Sequence, residues 1–192
     1  MKRPFAQGEG VDRRVALLAL AGLCAGPVRA QALAAAGEPV VLTVSGSIVR
    51  TNAPGEARFD LPMLAALPQQ SFATRTPWYA TPRKFTGVRL RDLLAAVGVG
   101  AGPAVGTAVA TSVATSGRDV RAIALNDYRA DIPADDVQRS DVMVAYLLDD
   151  EPMRVRDKGP LVVIYPFDSR RELRTAVHYS RAVWQLHRIE VK

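Results

Sequence analysis

Apolar positions along this chain fall mostly in short runs of near-alternating or β-branched residues, and only one stretch keeps a clear helical period. From Pro39 to Arg50 the sequence PVVLTVSGSIVR alternates loosely and is rich in Val, Ile and Thr, which predicts a strand or hairpin. Further strand-like runs are Ala108 to Val113, Val120 to Leu125, Val142 to Leu148, Leu161 to Tyr165 and Val183 to Val191. Asp149-Asp-Glu-Pro152 supplies a turn between Leu148 and Met153. Helical spacing appears where Leu90, Leu93, Leu94 and Val97 recur at i, i+3, i+4 and i+7, predicting a helix over Val88 to Val97 that Gly98 and Gly100 end. Asp60 is placed to cap a short helix through Leu61, Leu64 and Leu67, with Pro62 in its first turn and Pro68 stopping it. Strands outnumber helices, and crossover helices rarely separate them. That pattern predicts an α+β fold, mostly β, with a largely antiparallel or mixed sheet.

The first 30 residues belong to a different pattern. A basic start (Lys2, Arg3, Arg13, Arg14) leads into the apolar run VALLALAGL and then to Gly26-Pro27 and Val28-Arg-Ala30, which predicts a cleaved export signal over 1–30. The run is shorter than the roughly 20 residues of a membrane-spanning helix. Arg13-Arg14 leaves both the twin-arginine and the general export route open. A short segment, 31–38, would then precede a single domain over 39–192, soluble in the periplasm and with no membrane insertion once the signal is gone. Cys24, the one cysteine, falls in the segment to be removed, so the mature chain would have no disulfide, cysteine metal site or cysteine nucleophile. Residues 1–30 also hold five of the 25 Lys and Arg and two of the 19 Asp and Glu, so the remainder carries 20 basic against 17 acidic residues, net +3 instead of +6. That weak balance gives no ground for a nucleic-acid partner.

Several chemistries are poorly supported. GVGAGPAVG, from Gly98 to Gly106, looks superficially like a phosphate-cradling loop, but it follows a helix, contains Pro103 and lacks the lysine and hydroxyl residue of a P-loop. His178 and His187 are the only histidines and form no paired motif, so a zinc site of the usual type is not expected, and no metal ligands are assigned. No Gly-x-Ser-x-Gly occurs. What remains is LNDYRADIP, where Asn126 and Asp127 precede Tyr128 in a polar turn, and a scatter of basic residues near strand ends, among them Arg75, Arg154 and Lys158. Most of these are expected at a solvated surface, but a few could converge on an oxyanion, which guanidinium binds with paired hydrogen bonds.

FTGVRLRDLL, YRADIP, KGPLVVIYP and VWQLHRIEV, in this order and spacing, resemble the molybdopterin-binding domain of the sulfite oxidase group, and most of all its short, exported bacterial members. The resemblance covers Pro39 to Lys192. It implies a mixed α+β domain with the cofactor in a deep cleft, its molybdenum held by two dithiolene sulfurs and a protein cysteine, and oxygen-atom transfer at the metal. It further implies that Tyr128 stands near the metal and that the Gly-Pro strand forms a wall of the cleft. This sequence departs from the pattern where the cysteine should fall, in an expected loop around Phe72 to Trp78, which carries Arg75 and Thr76. Lys158 stands where a histidine is frequent, Val162 where an arginine is, and Val183-Trp184 replaces Lys-Trp.

A thiolate balances the charge of molybdenum and tunes its redox behaviour, and neither Thr nor Arg does the same. On that ground no cofactor is expected. The chain is read as a periplasmic small-anion-binding module or one that interacts with a sensor or redox protein, with Tyr128, Lys158, Arg75, Thr76, Asn126 and Asp127 as candidate cleft residues. The alternative is a molybdopterin-dependent oxidoreductase with a non-cysteine ligand, such as Thr76 or water, on the metal.

Overall fold

The computed structural model describes residues 33–37, 39–100 and 118–192. The predicted export segment with Cys24, the predicted run Ala108–Val113 and the glycine-rich stretch beyond Gly100 lie outside the described residues. Strand β1 (Leu42–Gly46) buries Leu42 and Val44 and turns Thr43 and Ser45 the other way, as a period of two requires. It pairs antiparallel with β2 (Glu56–Phe59) and parallel with the last strand, β10 (Leu186–Val191). On the far side of β10 follow β5 (Val120–Ala124) and β6 (Arg129–Ile132), giving the order β2-β1-β10-β5-β6.

The second sheet is built on a hairpin of β3 (Gln69–Thr76) and β4 (Tyr79–Arg89). Next to β4 lies β7 (Met143–Leu148), whose other edge carries β8 (Glu151–Pro152) and β9 (Val162–Ile164). Asp149 and Asp150 join β7 to β8 with φ of 51° and 67°, the left-handed pair of a two-residue hairpin turn. Gly87 marks the tightest approach of β4 to β7. A Cβ there would lie 2.1 Å from the Val144 carbonyl oxygen, and the pairing register shifts at this point.

Among the described residues there are four helices, all short. In α1 (Leu61–Ala65) the Asp60 carboxylate accepts a 2.7 Å hydrogen bond from the Met63 N–H, the predicted cap. The predicted helix after it, α2 (Leu90–Ala96), begins two residues late because Val88 still pairs in β4, and it buries Leu90, Leu93 and Leu94. The others are α3 (Ala134–Arg139) and α4 (Ala176–Ser180). None of the four is long and apolar enough to cross a membrane. One continuous cluster of buried residues takes Leu42, Val44 and Ile189 from the first sheet and Phe85, Met143 and Ile164 from the second. The protein is thus a single, mostly β, α+β domain, as its pattern predicts.

One segment differs from expectation. Residues 72 to 76, expected in a loop, belong to β3, and Pro77 and Trp78 form the tip of the hairpin. The inward positions of this strand are Phe72, Thr74 and Thr76. Threonine is β-branched and suits a strand but gives no apolar stripe, so the periodicity was hidden.

A candidate site at the hairpin tip

The strand that enters through Lys-Gly-Pro ties both of its ends to other elements. The turn before it closes through hydrogen bonds from the Asp157 and Gly159 N–H groups to the Arg154 carbonyl. Gly159 has no room for a side chain, since a Cβ would lie 2.2 Å from the Met153 carbonyl oxygen, and its bond to Pro160 is cis. Beyond the turn the chain runs beside residues 183–186. The Lys158 carbonyl accepts from the Gln185 N–H, Val163 and Val183 form a bridge, and the Leu161 carbonyl accepts from Leu186. KGPLVVIYP and VWQLHRIEV are therefore two halves of one structural unit, which joins β9 of one sheet to β10 of the other.

Lys158 and Gln185, bonded to each other, both sit in the left-handed region, with φ of 75° and 53°. For non-glycine residues that costs about 1 to 3 kcal/mol each, and it persists only where the surroundings hold it in place. Here it holds Lys158 at the hairpin tip. The ammonium lies 5.3 Å from the ring centroid of Tyr79 and 5.7 Å from that of Trp184, within range of a cation–π attraction. It makes no ion pair among the described residues. Trp184 in turn packs edge-on against Trp78 (5.0 Å) and Tyr79 (6.1 Å). Thr76 pairs with Tyr79 to close the hairpin. Within this cluster Thr76 Oγ1 and Trp184 Nε1 are buried with no hydrogen-bond partner. An orphaned buried hydroxyl or indole N–H costs desolvation that folding normally avoids.

At its other end the strand holds the same hairpin. Asp168 accepts a 2.8 Å hydrogen bond from the Arg75 N–H and donates its own N–H to Thr74 Oγ1 at 3.1 Å. Arg174 pairs with the Asp168 carboxylate at 3.1 Å. Between the two ends Tyr165 is fully buried, and its hydroxyl donates to Asp136, which also pairs with Arg181.

The six residues singled out from the sequence are not gathered in one place by the contacts formed. Lys158 and Thr76 flank the aromatic tip. Arg75 is the exposed residue between the inward Thr74 and Thr76, so its side chain leaves the opposite face of β3. Asn126, Asp127 and Tyr128 form the turn between β5 and β6, where Asn126 Oδ1 accepts from the Tyr128 N–H and Asp127 has φ of 63°. The Tyr128 hydroxyl donates to the Ser180 carbonyl at 2.6 Å. Among the described residues no hydrogen bond or ion pair joins Tyr128, Lys158 and Arg75 to one another. Tyr79 and Asp168 had no signal in the sequence, because their roles depend on a hairpin that the pattern concealed. Trp184 is half-buried.

Burial pushes the Tyr79 phenol above its ordinary value, against the opposing pull of the Arg83 guanidinium, which lies 4.9 Å from the ring centroid. Tyr79 is thus a neutral donor or acceptor near neutral pH. The tip combines the unpaired Lys158 cation, the Asp149-paired Arg83, a neutral phenol, an unpaired indole N–H and an unpaired hydroxyl around aromatic faces. That combination suits a planar polar group with an anionic part.

The fold is thus a β-rich α+β domain with a cation set among aromatic rings at the tip of the β3–β4 hairpin. The sequence profile of the oxidoreductase molybdopterin binding domain matches residues 61–168, more than half of the chain. The chain belongs to this family, whose domain is of the sulfite oxidase type. No curated protein matches it. The family match overturns the expectation that no cofactor is carried, because this domain binds molybdopterin. That expectation took the missing thiolate as decisive. A pterin cofactor is held at its ring and phosphate as well as at its metal, so the loss of the thiolate does not by itself remove the grounds for binding.

Of the cofactor's parts, its polar and anionic edge fits the unpaired Lys158 ammonium and the orphaned Thr76 and Trp184 atoms. Among the described residues no three His, Cys, Asp or Glu side chains gather as metal ligands.

Proposed function

We propose that this chain is an exported molybdopterin-binding oxidoreductase domain in which the hairpin tip holds the anionic part of the cofactor and the mature protein gives the metal no thiolate. When bound, the cofactor supplies a dithiolene-held molybdenum centre able to exchange electrons or an oxygen atom. The protein's own contribution is positioning. Lys158 offsets negative charge, and Trp184 Nε1 and Thr76 Oγ1 donate to it. Trp78 and Tyr79 exclude water, which strengthens each charge-assisted contact. The observation that carries this reading is the unpaired Lys158 ammonium, held over Tyr79 and Trp184 by two left-handed residues, beside two buried polar atoms with no partner. Export is supported by the basic, apolar and small-residue order of residues 1–30.

The test is to recover the protein from the periplasm of a host that makes the pterin, then to measure its N-terminal mass, its molybdenum and the fluorescence of its oxidised pterin. The expected result is a chain starting near residue 31 with bound pterin, and Lys158→Ala should retain several-fold less. Wild-type protein without pterin, or Lys158→Ala with undiminished pterin, would overturn the assignment of the tip.

A further inference from the structure

The Tyr128 hydroxyl bonds the Ser180 carbonyl and no residue of the hairpin tip, and its surroundings suggest another role. Leu125, Tyr128, Val155 and Val177 are 50%, 44%, 52% and 55% exposed, which makes them four of the seven large apolar residues exposed among the described residues. They come from the β5–β6 turn, a 3-10 turn and helix α4, and hydrogen bonds hold these three segments side by side as one face. Gln185 donates its side-chain N–H to the Val155 carbonyl at 2.8 Å, and its own carbonyl accepts from the Leu125 N–H at 2.9 Å. The turn Leu125–Tyr128 then reaches α4 through the Tyr128 hydroxyl on the Ser180 carbonyl, and Ser180 Oγ donates to the Val177 carbonyl at 2.8 Å. With its hydroxyl spent on that backbone contact, Tyr128 offers the face its ring.

The charge around this face is uneven. Arg129, Arg154 and Arg156 adjoin it in sequence, against Asp127 and Asp157; Arg156 pairs with Asp157, whereas Arg129 and Arg154 form no ion pair among the described residues. An apolar centre with a basic rim is the form of a protein-recognition surface, and the rim determines which partners approach.

We propose that this face docks an acidic protein surface that carries apolar side chains at its centre. A second copy of the chain fits less well, because self-association would set one basic rim against another. The proposal is independent of whether the hairpin tip holds pterin.

The test uses 15N-labelled protein recovered from expression of the full chain and three synthetic peptides. One alternates glutamate with leucine and tryptophan, the second replaces every glutamate with lysine, and the third replaces every apolar residue with serine. The acidic apolar peptide should shift the amide signals of Leu125, Val155 and Val177, and its affinity should fall about tenfold as added salt shortens the screening length from roughly 30 Å to 3 Å. Arg154→Glu and Val155→Ser should each weaken it by roughly fivefold or more, with an unchanged melting temperature because both side chains are exposed. The proposal is overturned if the peptide fails to bind, if either control peptide binds as well, or if the shifts fall elsewhere. It is equally overturned if vesicles of phosphatidylglycerol, or a second copy of the chain, occupy this face in preference to the peptide.

Discussion

Replacing Thr76 by valine separates the two states of the hairpin tip. Its Oγ1 is buried with no partner among the described residues, and the residue is 8% exposed. Such a hydroxyl forfeits its hydration and gains nothing in return, a cost of about 1 to 3 kcal/mol. Valine has nearly the same shape, carries no polar atom and suits a strand. In protein made without the pterin, Thr76→Val should therefore stabilise the fold by about 1 kcal/mol or more, raising the melting temperature by about 2 to 4 °C for a domain of this size. In pterin-loaded protein the hydroxyl has a partner, so the same substitution should give no gain, or a loss. Urea unfolding followed by tryptophan fluorescence suits the measurement, since both tryptophans, Trp78 and Trp184, belong to the cluster. Destabilisation of the pterin-free protein by 1 kcal/mol or more would refute the reasoning, because it would mean that the hydroxyl already has a good partner within the fold.

Other substitutions probe the scaffold. Leu94 is 3% exposed, and Leu94→Ala should cost about 2 to 5 kcal/mol in urea unfolding. Gly87→Ala would set a methyl 2.1 Å from the Val144 carbonyl oxygen and must part β4 from β7, so it should lower the melting temperature more than an alanine at the exposed Gly55, which meets no atom within 4 Å and bears only the strain of a φ of 70°. Asp131 pairs across the β5–β6 ladder with Arg121, and also with Lys192, and these partners in that order hold its carboxyl down from 3.8 to about 2. A depressed carboxylate stabilises the fold above its unfolded value and loses that contribution as pH falls through its folded value. Asp131→Asn should therefore flatten the stability profile between pH 3.8 and about 2, by no more than about 1 kcal/mol at this exposed pair. An unchanged acid limb would count against the pairing.

The parts of the fold legible in the sequence are those whose inward positions are apolar. Leu90, Leu93 and Leu94 identified α2, and VVI identified β9, because both elements are buried through large aliphatic side chains. The β3–β4 hairpin was not legible, because β3 buries Thr74 and Thr76 on its inner side and β4 carries Pro82, Arg83 and Lys84 through a solvated stretch. Asp60 was legible from its chemistry alone, since a carboxylate followed by Leu-Pro satisfies the first turn of a helix before any packing is known. Helices α3 and α4 are too short to show a period, and their ends are fixed by contacts made after folding, such as Arg181 with Asp136.

The candidate site shows the same division on a smaller scale. Lys158 and Thr76 could be picked out because one replaces a frequent histidine and the other falls where a cysteine is expected, but their meeting depends on Tyr79 and Trp184, which the concealed hairpin and the bridge between Val163 and Val183 bring to them. Tyr128 was picked out by its polar turn and again by the comparison of motifs, yet its hydroxyl is committed to the Ser180 carbonyl and its side chain is exposed. A motif conveys that a residue type recurs at a spacing, and the same spacing serves a ligand contact or a backbone tie equally well. The distinction comes from unsatisfied groups. Thr76 Oγ1 and Trp184 Nε1 are buried and unpaired, so the hairpin tip has unmet hydrogen-bonding capacity that a ligand could satisfy, whereas the Tyr128 hydroxyl already gives its one hydrogen to the backbone.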